Sequence, residues 1–118
     1  MKKITIKTSN ENAAKKLVSN IINNVKKNVY KTWSYEKIIL VKDETEYDSI
    51  FHNPDQFLED LTKKVWFIPK ISGTNITFNP IKTEGYEVTD AIFSLHTGRL
   101  LEMLMTYYYD DFTELTVK

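Results

Sequence analysis

The sequence predicts a single α+β domain, residues 1–118, in which helices pack mainly on one face of a mixed or antiparallel sheet of about five strands. Three observations support this fold class. Several short runs alternate apolar and polar residues, two longer runs repeat apolar residues every three or four positions, and the two kinds of run are mixed along the chain. With 42% apolar and 27% charged residues, the composition is typical of one globular domain.

The first predicted elements are a strand and an amphipathic helix. Residues 2–7 alternate, with Ile4 and Ile6 on one side, as in a half-buried strand. Thr8 and Glu11 have the spacing of a capping box, so we expect a helix to begin there. Its apolar stripe consists of Ala14, Leu17, Val18, Ile21, Ile22, Val25 and Val29.

The next segment predicts a strand over residues 33–41. Its residues alternate at first and then form the continuous apolar run Ile38 to Val41, which is typical of a central strand buried on both faces. Asp43, followed by Glu46, predicts the start of a short helix that reaches Phe51.

Asn53-Pro54 then places a capping residue before a proline, which predicts another helix. Phe57, Leu58 and Leu61 would face the core from this helix, and its acidic residues would face solvent. Residues 64–71 and 75–81 read as the two strands of a hairpin. Because Pro69 and Pro80 lack amide donors, we expect at least one of these strands to lie at an edge or to contain a bulge.

Thr89 predicts the N-cap of a long helix with a wide apolar face: Ile92, Phe93, His96, Leu100, Met103, Leu104 and Tyr107. Gly98 costs about 1 kcal/mol inside a helix, so an alternative is a strand over residues 86–95 with the helix starting at Thr97. Residues 113–117 predict a short final strand.

Charge is divided along the chain although the net charge is zero. Residues 1–42 contain ten lysines and two glutamates, a balance of +8, and residues 43–118 have a balance of −8. Cysteine is absent, which excludes disulfides and thiolate chemistry. The basic start Met1-Lys2-Lys3 precedes no apolar run of signal-peptide length, and no segment has transmembrane length. We therefore expect a cytoplasmic protein without membrane association.

Few residues are candidates for catalysis. His52 and His96 are the two histidines, and neither lies in a known catalytic motif. A ribonuclease that uses both histidines with a lysine stays open as an alternative, and Arg99, the single arginine, is a candidate for either a salt bridge or a functional role. Phosphate-binding glycine loops and calcium loops are missing, so we expect no cofactor and no metal.

Two arrangements of residues suggest binding instead. Lys15, Lys16, Lys26 and Lys27 on the first helix, beside Trp33 and Tyr35, could contact nucleic acid, but overall neutrality and the scarcity of arginine disfavour that partner. Acidic residues beside tyrosines suit recognition of a basic protein surface. Three consecutive tyrosines cannot all face the core, because each helical residue turns by about 100°. The predicted partner-binding residues are Asp43, Glu44, Glu46, Tyr47, Asp48, Tyr108, Tyr109, Asp110 and Asp111.

A short cysteine-free α+β chain with no catalytic motif and with these acidic, tyrosine-containing segments resembles the bacterial immunity proteins, including those of contact-dependent growth inhibition. The resemblance covers the whole chain in character and involves no family motif. It implies a protein that binds a cognate toxin domain, often a nuclease, and occludes its active site or substrate groove. Composition fixes neither the identity of that toxin nor the oligomeric state.

Overall fold

The sheet of this protein has six strands and is antiparallel throughout, as seen in a computed structural model that describes residues 2–53 and 60–118. The strands are β1 (Ile4–Lys7), β2 (Trp33–Ile39), β3 (Glu46–His52), β4 (Trp66–Ser72), β5 (Asn75–Ile81) and β6 (Glu114–Val117). Their order across the sheet is β2-β3-β4-β5-β1-β6. The predicted α+β class is confirmed, with one strand more than expected and with no parallel pair.

Two helices, α1 (Glu11–Lys26) and α2 (Asp90–Tyr107), pack against this sheet. Ile4, Ile6, Ile76 and Phe78 alternate with polar neighbours and join the buried side of both helices in one core. The helices therefore cover one face of the sheet, and we call the opposite face the open face. From α1 the core receives Ala14, Leu17, Ile21, Ile22 and Val25, and from α2 Leu100, Met103 and Leu104.

The helix starts differ in how well the sequence predicted them. Asn10, and not Thr8, caps α1, because its side chain accepts a hydrogen bond from the Ala13 amide at 2.8 Å. The Thr8 hydroxyl instead donates to the carbonyl oxygens of Asn10 and Thr74, which ties the helix start to the β4–β5 turn. Thr89 caps α2 as predicted, through the Ile92 amide at 3.3 Å.

The helix ends also test the sequence patterns. Helix α1 ends at Lys26, so Val29 lies outside it and is exposed, contrary to its place in the predicted stripe. Gly98 lies within α2, and the alternative strand over residues 86–95 is wrong. The packing of the whole helix outweighs the small propensity cost of one glycine.

The prediction of a central strand at residues 33–41 is wrong in its placement. Strand β2 is an edge strand that pairs only with β3, in a hairpin that runs from Trp33↔His52 to Ile39↔Glu46. The short helix predicted from Asp43 to Phe51 is β3. The last four residues of β3, Ser49 to His52, are all buried, and their packing on both faces of the sheet favours pairing with β2 over an isolated helical turn.

The helix predicted after Asn53-Pro54, with Phe57 and Leu58, lies outside the described residues. Leu61 belongs to a 3-10 turn, Leu61–Lys63. The β4–β5 hairpin and the final strand are confirmed. Both prolines lie in strands that are internal in the sheet. Pro69 of β4 has no partner residue in β3, however, and Pro80 of β5 has none in β1. The missing amide donors therefore do not interrupt a ladder with either of these neighbouring strands.

Candidate functional site

The β2–β3 hairpin extends away from the rest of the sheet. Strand β3 pairs with β4 only at Ile50↔Phe67 and Phe51↔Trp66, so its first four residues have no partner in β4. The far end of the hairpin, residues 39–48, is therefore attached to the sheet only through its own ladder. We call these residues the hairpin tip.

Apolar side chains of the hairpin tip are exposed to solvent. Ile39 and Val41 are 61% and 78% exposed, the latter being the highest exposure among the large apolar residues of the described chain. Isolated exposed apolar residues are common, but here two lie within three positions, on an edge hairpin and beside charged neighbours. Such an arrangement is typical of a surface that binds another protein.

Acidic residues surround these apolar side chains. Asp43 accepts a hydrogen bond from the Tyr47 hydroxyl at 2.7 Å and another from the Thr45 amide at 3.1 Å. These bonds lower the pKa of Asp43, and the same contact raises the pKa of Tyr47. Glu44 is exposed and takes a left-handed backbone conformation, φ 54°, at the turn.

The two acids on β3 have partners on β2. The Glu46 carboxylate lies 3.8 Å from the Lys37 ammonium, and Asp48 accepts a hydrogen bond from the Tyr35 hydroxyl. The bond to Asp48 is the main cause that raises the pKa of Tyr35 to about 12. Glu46 and Asp48 point to the side of the sheet that carries the helices, whereas Tyr47 points to the open face, so the predicted cluster is divided between two sides of the hairpin.

The three consecutive tyrosines occupy different environments. Tyr107 and Tyr109 are exposed, and Tyr108 is buried at 5% exposure. The Tyr108 hydroxyl lies 2.6 Å from that of Tyr30 and accepts from the Asn24 amide at 3.0 Å. The expectation that at least one tyrosine faces outward is confirmed. Tyr108, however, is a core residue and is not available for direct contact with a partner, and the expectation that Tyr107 lies on the apolar face of α2 is wrong.

Asp110 and Asp111 lie on a 3-10 turn, Tyr109–Asp111, and are exposed like Tyr109. This turn directly follows the C-terminal end of α2. At that helix end the Tyr107 ring lies against the Tyr30 ring, with their centroids 4.4 Å apart, and Tyr30 lies close to the Trp33 end of β2. The hairpin tip is at the other end of β2, which at about 3.3 Å per residue is roughly 20 Å away. No contact within the described residues joins the two acidic clusters, so they form two separate surfaces.

The histidines are buried between α2 and β3. Their ring centroids are 6.2 Å apart, and His96 Nε2 lies 2.7 Å from the Lys63 carbonyl oxygen. Burial, and then the proximity of His96 and Arg99, lowers the pKa of His52 to about 4; burial also lowers that of His96. His96 is fully buried and His52 nearly so, which is the environment of core histidines and not of an acid-base pair open to substrate.

Other predicted residues have local roles. Arg99 lies 3.4 Å from Glu102 in its own helix, at an exposed i,i+3 position. The lysines of α1 are exposed, but Trp33 is buried in the core and cannot offer its ring to a base. Lys26 lies instead over the Tyr35 ring, 4.4 Å from its centroid.

Sequence reasoning missed Ile39 and Val41 because it read their apolar run as a buried strand. The signal that could have found them is the set of charged neighbours Glu36, Lys37, Lys42 and Asp43, which is unusual around a central strand.

Within residues 2–53 and 60–118, no group of three or more acidic or histidine side chains could hold a metal ion, and neither helix has the length and apolar character needed to cross a membrane. No family model, curated protein or solved structure matches the chain.

Proposed function

We propose that this chain is a binding protein and not an enzyme, and that it neutralises a cognate toxin domain by covering its active site or substrate groove, as bacterial immunity proteins do. The observation that carries the proposal is the hairpin tip, where exposed Ile39 and Val41 lie among Asp43, Glu44, Glu46 and Asp48. Apolar side chains provide burial on binding, and surrounding acids favour a cationic partner.

The charge at the tip suits a toxin that acts on nucleic acid. A nuclease domain has a basic substrate groove, and acidic side chains attract such a groove and accelerate association. The tip is not paired with β4, so it can contact a groove without disturbing the hydrogen bonds of the rest of the sheet. This function places the protein in the same compartment as the toxin's target, which for a nuclease is the cytoplasm.

An enzymatic function has less support. The two histidines that could act as acid and base are buried, and their lowered pKa values keep them neutral near pH 7. The exposed side chains of the tip offer carboxylates that are hydrogen-bonded to tyrosines or paired with lysine, not a nucleophile beside a base.

The test is binding to the product of the gene immediately upstream, the place where a cognate toxin is expected. We expect co-purification of the two proteins and protection of growing cells when both are expressed. The variants Ile39→Ser with Val41→Ser, and Asp43→Lys with Glu44→Lys, should each weaken binding by about 30-fold or more, as at an interface hot spot.

Asp110→Lys with Asp111→Lys is the matched comparison, because it makes the same charge change at the second acidic surface. If this variant abolishes binding and the tip variants leave it intact, the tip is not the interface. If the upstream product neither binds nor harms cells, the immunity function itself is wrong.

A further inference from the structure

The part of the open face formed by β1 and β5 carries a polar surface with lysines, whereas on β3 and β4 the same face holds the buried Phe51, Trp66 and Ile68. The residues that alternate with the core positions Ile4, Ile6, Ile76 and Phe78 point to this face, and they include Lys3, Thr5, Lys7, Thr77 and Asn79. Lys70 of β4 pairs with Thr77, which in turn pairs with Thr5 of β1, so the three lie in one row across the sheet. The Thr5 and Thr77 hydroxyls are 3.2 Å apart.

The hairpin converts part of this face into a cleft. Because β3 separates from β4 beyond Ile50, Leu40, Lys42 and Tyr47 form a second wall facing the strands β4, β5 and β1. The space between the walls has a volume of about 710 Å³. Binding sites for small molecules usually enclose a few hundred to 1,000 Å³, so this cleft has sufficient size for one.

Three lysines, Lys3, Lys42 and Lys70, line the cleft, and none of its described lining residues is acidic. None of these lysines forms a salt bridge within the part of the chain that the structure describes, whereas Lys15, Lys37, Lys63 and Lys64 do. Lys3 precedes β1 and Lys70 lies on β4, with β5 between these two strands. Lys42 is next to Asp43 and helps to lower the pKa of that carboxyl, so part of its charge is offset. The three ammonium groups still line one concave surface, which attracts an anionic ligand.

The uncharged lining residues narrow the class of ligand. Tyr47 contributes an aromatic ring that is half-buried in the cleft wall, and its hydroxyl is held by Asp43. Thr77 and Asn79 contribute a hydroxyl and an amide beside the lysines. Lysines match phosphate oxygens, an aromatic ring stacks on a base, and hydroxyl and amide groups bond to sugar or base edges.

We propose that this cleft binds nucleotides, either free or within a single strand. An acidic peptide would also neutralise the lysines, but a nucleotide adds a base that stacks on the Tyr47 ring, and competition by polyglutamate with the Tyr47→Leu variant distinguishes the two. This proposal does not rest on the toxin-binding proposal, although the cleft shares Leu40, Lys42 and Tyr47 with the hairpin tip. Lys3, just before β1, and Lys70 of β4 lie outside the tip, so variants at these two lysines test the cleft alone. The cleft also differs from the lysine surface of α1, which is on the other side of the sheet.

The experiment measures binding of fluorescein-labelled decathymidylate by anisotropy, with thymidine 5′-diphosphate as the free-nucleotide probe. Contacts to three phosphates predict a loss of roughly 20-fold in affinity between 50 and 200 mM salt. Lys3→Gln with Lys70→Gln should weaken binding at least tenfold. Lys15→Gln with Lys16→Gln removes the same charge from α1 and should change it less than twofold.

Tyr47→Leu should weaken binding of both probes, because stacking is lost. Similar affinities for the diphosphate and the decamer identify a free-nucleotide site, and a decamer that binds much more tightly identifies a single-strand site; both support the proposal. It is overturned if neither probe binds at 50 mM salt, if the α1 variant loses as much affinity as the cleft variant, or if polyglutamate competes equally and Tyr47→Leu has no effect.

Discussion

The hydroxyl groups of Tyr30 and Tyr108, 78 residues apart in the chain, lie 2.6 Å from each other in the core. Tyr30 belongs to the segment between α1 and β2, and Tyr108 is the C-cap residue that directly follows α2. Asn24 of α1 adds its amide at 3.0 Å from the Tyr108 hydroxyl. One buried polar contact thus links the ends of both helices, and it explains why the middle tyrosine of three is the one that the core retains.

We expect Tyr108→Phe to lower the free energy of unfolding by about 1–3 kcal/mol, because it leaves a buried hydroxyl and amide with poorer partners. Urea denaturation followed by far-UV circular dichroism measures the change. Tyr109→Phe is the control, since Tyr109 is 62% exposed and should change stability by less than about 0.5 kcal/mol. Equal effects of the two variants would contradict the network.

Local patterns with a clear period predicted most of this fold. Helix α2 with its Thr89 cap, the β4–β5 hairpin and β6 follow from side-chain alternation and capping chemistry that neighbouring residues decide. The N-cap of α1 shifted from Thr8 to Asn10 because Thr8 bonds to Thr74, a contact across 66 positions that no local pattern contains.

The candidate site was harder to predict because it also depends on contacts between residues that are far apart in the sequence. The run Ile38 to Val41 is compatible with a buried strand or with an exposed hairpin end, and only the order of strands in the sheet decides between them. The acidic residues of the tip were found from composition, but Tyr108 was misplaced because its burial depends on Asn24 and Tyr30, both distant in sequence. The open face became visible only when the pairing of β1, β4 and β5 placed lysines from separate segments together.

The buried histidines predict that stability falls as the pH falls below neutrality. The pKa of His52 is about 4 in the folded protein and near 6.5 in the unfolded chain, so below pH 6.5 the unfolded state binds a proton that the folded state does not. Stability should therefore be greatest above pH 6.5 and should decrease between pH 6.5 and 4. From pH 7 to pH 5 the expected contribution of His52 is about 2 kcal/mol.

Urea titrations at pH 7 and pH 5 measure this loss, and His52→Gln should reduce it. The lowered pKa of His96 acts in the same direction, so the variant should retain part of the dependence. A loss that is the same in the variant and the parent protein would show that His52 does not titrate as its burial requires.

The contact between Tyr35 and Asp48 predicts a spectroscopic change at the hairpin. The hydrogen bond to Asp48 raises the pKa of Tyr35 to about 12, so this phenol should lose its proton at a higher pH than a free tyrosine. Asp48→Asn removes the charge that opposes ionisation. We expect the pKa of Tyr35 to move towards 10 in that variant, measured by its ring resonances in NMR titration. Asp43→Asn serves as the control, because Asp43 bonds to Tyr47 and should leave the titration of Tyr35 unchanged.

Gly98 offers a stabilising substitution in the interior of α2. A Cβ atom at this position would meet no atom within 4 Å, and the residue is exposed. Alanine has a lower entropic cost of helix formation than glycine, so Gly98→Ala should raise the free energy of unfolding by about 1 kcal/mol, measured by urea denaturation. Gly73→Ala is the matched control. A Cβ atom at Gly73 would also meet no atom within 4 Å, but the φ of +60° in the β4–β5 turn strains an L-residue. Gly73→Ala should therefore lower the free energy of unfolding by about 1 kcal/mol. If both variants shift stability in the same direction, backbone conformation is not what distinguishes these glycines.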